Sequence, residues 1–203
     1  MKVYRKQMAI SALSLLLAAC GGSGPSKPSC VESLLAGDLV ITEIMANPLD
    51  RDEGKEWFEI YSPGQAHDLT GLRVVAARAD GSGEAEHYVI GANIAAGDYL
   101  VLGGMIEAVK PAYVDYAYGA DLGGLRNSGG KLSLYCGEAL VDTVTYLEAS
   151  DGVALQLDGT KNPDSIVNDD SQNWCDARTE YDPVNEPGAL GSPGLPNQPC
   201  ESN

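Results

Sequence analysis

The feature that most limits what this chain can become is a succession of short runs rich in β-branched and aromatic residues, each ended within a few positions by Gly, Asp, Asn or Pro. The alternation inside these runs is that of a pleated strand, and the helical period is weak everywhere except near the N-terminus. The runs predict strands at 39–45, 56–61, 72–76, 87–90, 99–102, 113–118, 131–135, 139–146 and 153–157. In the seventh, Leu132 and Leu134 share one face. Beyond Gly137-Glu138, Leu140, Asp142, Val144 and Tyr146 alternate with Val141, Thr143 and Thr145, so these two runs predict a hairpin. Short strands separated by such turns predict an all-β fold, an immunoglobulin-like antiparallel β-sandwich.

The N-terminus follows a different rule. Lys2, Arg5 and Lys6 precede an uncharged, mostly apolar run from Met8 to Ala19, the layout of a secretory signal peptide. As a helix this run would reach roughly 18 Å, against about 30 Å for a bilayer core, too short for a spanning segment. Leu17-Ala18-Ala19-Cys20 resembles the bacterial lipobox. That resemblance implies cleavage before Cys20 and lipidation of its sulfur, with several acyl chains together giving stable anchoring. No Asp follows at the second mature position, which favours the outer membrane, facing the periplasm or the surface. The expected organisation is a signal peptide (1–19), a lipidated cysteine and tether (20–36), a β-domain (37–177) and a Pro-rich tail packed on it (178–203). Residues 21–28 are Gly, Ser and Pro with one Lys, too poor in apolar groups to fold.

Charge narrows the partners. The full chain carries a formal charge of −16, and loss of three basic and no acidic residues with the signal leaves about −19. Such a field opposes phosphate backbones, so nucleic acid is not an expected partner. Once Cys20 is set aside, Cys30, Cys136, Cys175 and Cys200 remain. In an oxidising compartment they predict two disulfides, and none of the spacings suits a zinc or redox motif. Three connectivities are open. Proximity of domain termini favours Cys30 with Cys200 and, by remainder, Cys136 with Cys175.

Seven segments in order resemble the lamin tail domain family in its bacterial form. They are Leu39-Val40-Ile41-Thr42-Glu43-Ile44 with Asn47-Pro48, Glu56-Trp57-Phe58-Glu59-Ile60-Tyr61, Asp68-Leu69-Thr70-Gly71-Leu72, Ala96-Gly97-Asp98-Tyr99-Leu100-Val101-Leu102, Leu125-Arg126-Asn127-Ser128-Gly129-Gly130, Val141-Asp142-Thr143-Val144-Thr145-Tyr146, and a close formed by Gln156, Trp174 and Pro193-Gly194-Leu195-Pro196-Asn197. The resemblance spans 38–197 and departs at Ser62, where the family usually has Asn. It implies an immunoglobulin-like sandwich and no catalysis.

The sharpest chemical feature is the acidic group Asp50, Asp52, Glu53 and Glu56, with Glu59 and Glu43 nearby. Oxygen-rich loops of this kind can take Ca²⁺, although the spacing departs from an EF-hand, and Glu56 and Glu59, three apart on a strand, point to opposite faces. A solvated acidic loop is the alternative. Asn168-Asp169-Asp170 reads as a turn. His67 and His87 read as surface residues, Trp57 and Trp174 as core, and Tyr116 with Tyr118 as a pair on one face that, if outward, would form an aromatic patch. Serine-hydrolase elbows, zinc-protease helices and phosphate loops are all lacking. The reading that follows is a non-enzymatic, lipid-anchored envelope lipoprotein whose domain binds an envelope protein or glycan. The rival is a Ca²⁺-dependent binding or hydrolytic domain built on the 50–59 region.

Overall fold

The computed structural model describes residues 27–50 and 54–201. The leader, Cys20 and residues 21–26 of the tether lie outside the described residues, as do Asp52 and Glu53. Twelve strands follow in order, β1 (Val40–Met45), β2 (Trp57–Tyr61), β3 (His67–Asp68), β4 (Arg73–Arg78), β5 (Ala85–Tyr88), β6 (Asn93–Ile94), β7 (Tyr99–Gly103), β8 (Tyr116–Ala117), β9 (Gly130–Cys136), β10 (Ala139–Tyr146), β11 (Leu155–Leu157) and β12 (Trp174–Asp176). The only helical pieces among the described residues are single turns at Glu107–Val109 and Ser171–Asn173.

The strands form a six-stranded sheet, β12-β11-β1-β2-β7-β8, a four-stranded sheet, β10-β9-β4-β5, and the small pair β3-β6. All pairings are antiparallel except β7 with β8. The predicted hairpin is present. Cys136 faces Ala139 across a two-residue turn whose Gly137 has φ 60°, the positive angle that tight hairpin turns require. The expected all-β sandwich is what the chain adopts. Ile41, Ile44, Phe58, Ile60, Leu100 and Leu102 from the larger sheet meet Val74, Ala76, Leu132, Leu134, Val144 and Tyr146 from the smaller one in a single buried core.

The larger sheet is buried on its other face as well. Met45, Trp57, Val101 and Ala154 are packed there with Ala177 against Tyr181 and Leu190 of the C-terminal tail. This is why every residue of β1, including Thr42 and Glu43, is buried. The tail lies over the outer face of the six-stranded sheet. Its approach is close enough that a Cβ at Gly159 would lie 2.0 Å from the Asn197 carbonyl oxygen.

The disulfides correct the expected pairing. Cys30 joins Cys136, with 5.5 Å between their Cα atoms, and Cys175 joins Cys200, at 5.9 Å. Each chain end is stapled to a different sheet, the N-terminal arm to the end of β9 and the tail to β12. The arm also runs across Gly71, where a Cβ would lie 2.1 Å from the Ser29 carbonyl oxygen.

Leu134 has no exposed surface and sits between both sheets. Leu134→Ala is expected to lower the unfolding free energy by about 2–5 kcal/mol through lost burial and a residual cavity. Urea denaturation of the oxidised protein measures this, and a loss below about 1 kcal/mol would contradict the packing described.

Candidate functional site

The structure separates the described members of the acidic group that stands together in sequence. Asp50 is exposed and has a left-handed backbone, φ 71°. Glu56 and Glu59 go to opposite sides of the larger sheet region, as their spacing predicted. Glu56, 5 % exposed, lines a cleft, and Glu59 lies under the C-terminal tail beside Glu43. Among the described residues no group of three His, Cys, Asp or Glu side chains could hold a metal ion.

The cleft has a volume of about 620 Å³ and is lined by Gly54, Glu56, Gly104, Tyr118, Gly119, Ala120 and residues 123–128. It lies where the chain leaves β8, the edge of the six-stranded sheet, and turns through a glycine-rich segment toward β9. Five of its lining residues are glycines, so much of its wall is bare backbone. The Glu56 carboxylate reaches the segment at Gly124, where a Cβ would stand 3.3 Å from Oε1. Tyr118 is almost fully buried against Phe58, at 6.0 Å between ring centroids. Its hydroxyl has no hydrogen-bond partner among the described residues. Burial first, and the Glu56 charge second, push the Tyr118 phenol well above its ordinary range, so it stays protonated and keeps a hydrogen to donate. On the same segment the Arg126 amide donates to the Tyr146 hydroxyl at 2.8 Å, and Asn127 Nδ2 donates to Asn47 Oδ1 at 3.0 Å. These bonds fix the wall to two different parts of the domain.

The expected aromatic patch is corrected. Tyr118 is core, and Tyr116 is half-buried, its hydroxyl bonded to His87 Nε2 at 2.8 Å and accepting the Ile90 amide at 3.2 Å. His87 Nδ1 meets Asp121 Oδ2 at 2.7 Å. This chain of side chains ties β5 to the start of the cleft wall. His67, expected at the surface, is buried with Nδ1 3.1 Å from Glu32 Oε2, so it anchors the N-terminal arm. Both histidines therefore do positioning work that periodicity could not show. The tryptophans are core, as read from sequence: Trp57 is fully buried and Trp174 packs against the main core.

Two buried carboxylate sites escaped the sequence. The first is Asp142, whose Oδ2 accepts from the Ile41 amide at 2.7 Å and from Asn168 Nδ2 at 2.8 Å. Asn168 in turn donates to the Ile41 carbonyl at 3.0 Å. The turn expected at 168–170 is present, with Asp170 capping the Gln172 amide, but Asn168 points inward and bridges β1 to β10. Burial raises the Asp142 carboxyl to about 6, against hydrogen bonds that lower it. The second is the pair Glu43 and Glu59, directly opposite one another on β1 and β2 and both fully buried. Burial raises Glu43 to about 8, while burial followed by the Glu43 charge lifts Glu59 well above the carboxylate range.

Compared with known proteins, the chain matches no protein-family model and no curated sequence.

Because Asp142 and Glu43 hold their protons more tightly in the folded than in the unfolded chain, their contribution to stability is complete below the unfolded values of 3.8 and 4.5 and is lost as pH rises through about 6 and about 8. The urea midpoint is therefore expected to fall from pH 5 to pH 9, and Asp142→Asn is expected to flatten the lower part of that fall. A midpoint that stayed level or rose over this range would contradict the assignment.

Proposed function

We propose that this chain is a lipid-anchored lipoprotein of the bacterial cell envelope, held through Cys20 to the outer membrane, whose lamin-tail-like β-sandwich is a non-enzymatic binding module. The observation that carries the binding reading is the 620 Å³ glycine-walled cleft at the sheet edge. It falls within the size range of ligand sites, about 300–1,000 Å³. Its few polar groups include a buried carboxylate and a phenol hydroxyl that has no hydrogen-bond partner among the described residues, and buried polar groups in a pocket are where a ligand gains specificity. The acidic character of the chain favours neutral or cationic ligand groups over phosphates, consistent with an envelope glycan or the basic and polar side chains of an envelope protein. The lipobox-like Leu17-Ala18-Ala19-Cys20 and the signal-like leader support export and anchoring. The seven segments in family order support the lamin-tail assignment.

Cys20→Ser tests the anchor. The variant is expected to move from the membrane fraction to the soluble fraction, or to accumulate uncleaved, and a mature membrane-bound form would overturn the reading. Ala120 and Ser128 are exposed members of the cleft wall, so Ala120→Trp and Ser128→Trp fill the cleft without entering the core. Titration of immobilised protein with fractionated envelope proteins and glycans is expected to give a saturable partner. Either tryptophan is expected to weaken that binding at least about tenfold, equivalent to about 1.4 kcal/mol. Absence of any saturable partner, or binding indifferent to both substitutions, would refute the cleft as the site.

A further inference from the structure

Residues 176–199 form a loop closed at its base by the Cys175–Cys200 disulfide and lie across the outer face of the six-stranded sheet. Part of their attachment runs through two carboxylates. The Ser192 amide donates to Glu43 at 2.9 Å, with the Ser192 hydroxyl 3.2 Å from the same carboxylate. The Gly194 amide donates to Glu59 Oε2 at 2.7 Å, and Thr42 Oγ1 donates to the other oxygen of Glu59, also at 2.7 Å. At Gly191 the fit is tight, since a Cβ would stand 3.1 Å from Glu43 Oε1 and 3.2 Å from Trp57 Cζ2. Bonds that do not involve the carboxylates also hold the loop: Asn197 donates to the carbonyls of Thr42 and Leu157 at 2.8 and 2.9 Å, the Leu190 amide donates to the Gly152 carbonyl at 2.8 Å while its carbonyl accepts the Ala154 amide at 2.9 Å, and Tyr113 donates to Glu186 at 2.9 Å.

Opposed carboxylates buried in one site cannot both ionise without strong repulsion, and they titrate as a pair that shares a proton. Among the described residues no basic side chain offsets them. From β7, Tyr99 faces Glu59, with Tyr61 of β2 stacked on it at 4.7 Å. From the loop before β8, Asp115 adds a further negative charge near Glu59. From β11 the neighbour is the neutral Gln156, which pairs with Glu43, and from the tail Tyr181 packs beside Gly191. Lys161 and Asp158 line a small neighbouring hollow with Thr42, Tyr99 and Asn197, and among the described residues Lys161 forms no ion pair with the glutamates.

We propose that the disulfide-closed loop 176–199 is a proton-gated flap, fastened to the sheet while the Glu43–Glu59 pair carries a proton and lifted from it when both carboxylates are ionised. Lifting leaves the loop hinged at Cys175 and Cys200 and uncovers the apolar face formed by Met45, Trp57 and Val101. Flaps of this kind work because a packed interface has discrete attached and detached states. The proposal stands apart from the cleft and from the lipid anchor, and neither of their tests bears on it.

The chain has two tryptophans, so Trp174→Phe in the oxidised full-length protein leaves Trp57 as the reporter. Acrylamide quenching of Trp57 and amide exchange at Ser192 and Gly194, corrected for intrinsic rate, are followed from pH 6 to 9.5, with the amides of Leu132 and Leu134 in β9 as an internal control. The expected result is a several-fold, reversible rise in quenching and in exchange of the flap amides while β9 remains protected. Glu43→Gln or Glu59→Gln, which leave at most one ionisable carboxylate, are expected to suppress the rise. A Trp57 that stays shielded to pH 9.5, a rise unchanged by both substitutions, or simultaneous loss of β9 protection would each overturn the proposal. If neither variant folds, the reporter titration with its β9 control still decides it.

Discussion

The antiparallel pairing of β1 with β2 is the interaction on which the rest of the molecule depends. Its register places Ile44 opposite Phe58 and Ile41 opposite Ile60 on the side that faces the smaller sheet, and these side chains seed the main core. The same register sets Glu43 opposite Glu59 and Met45 opposite Trp57 on the other side. A bulge between Ile41 and Glu43 lets Ile41 and Ile44, three residues apart, share the core side. Because this central pair is buried on both faces, its polar side chains need partners that do not come from water, since an unpaired buried polar group costs about 1–3 kcal/mol. The C-terminal tail supplies them with its backbone amides. The domain is thus closer to three layers than two, with an irregular proline-containing strap taking the place of a third sheet.

Much of the fold was legible because the strand repeat is local. The runs at 131–135 and 139–146 alternate cleanly and fold as the hairpin they predict. The strands that escaped notice, β3, β6 and β12, have two or three residues each, too few for a period to appear. In β1 the alternation fails for a physical reason. Val40 to Met45 is buried throughout, and only knowledge of the overlying tail explains why Thr42 and Glu43 belong inside. The disulfide pairing eluded a rule about nearby termini because the two chain ends are fixed to different sheets.

The candidate site was less legible than the fold. Sequence brought out the acidic residues at 50–59 as one feature, and folding distributes those described among solvent, a cleft and a buried pair. Glu56 and Glu59 were correctly assigned to opposite faces, since that follows from strand geometry alone. The cleft was not readable because its wall is made of glycines at 119–130 whose positions depend on bonds to distant groups, such as Arg126 to Tyr146 and Asn127 to Asn47. The available hint for the buried carboxylates was their residence inside otherwise apolar strands, Glu43 between Thr42 and Ile44 and Asp142 between Val141 and Thr143.

The Cys30–Cys136 bond has a mechanical consequence. Tension applied to the chain on the N-terminal side of Cys30 reaches a covalent branch as soon as it enters the domain. It can pass directly to Cys136 at the end of β9, a strand flanked by β4 and β10. Strands β1 to β8 all lie inside the 106-residue covalent loop that this bond closes. They stand outside the shortest path of the load, and the hydrogen-bond ladders among them cannot be peeled apart by pulling on that end. What such a pull strains first is the β9 seam, held on both sides by its ladders to β4 and β10.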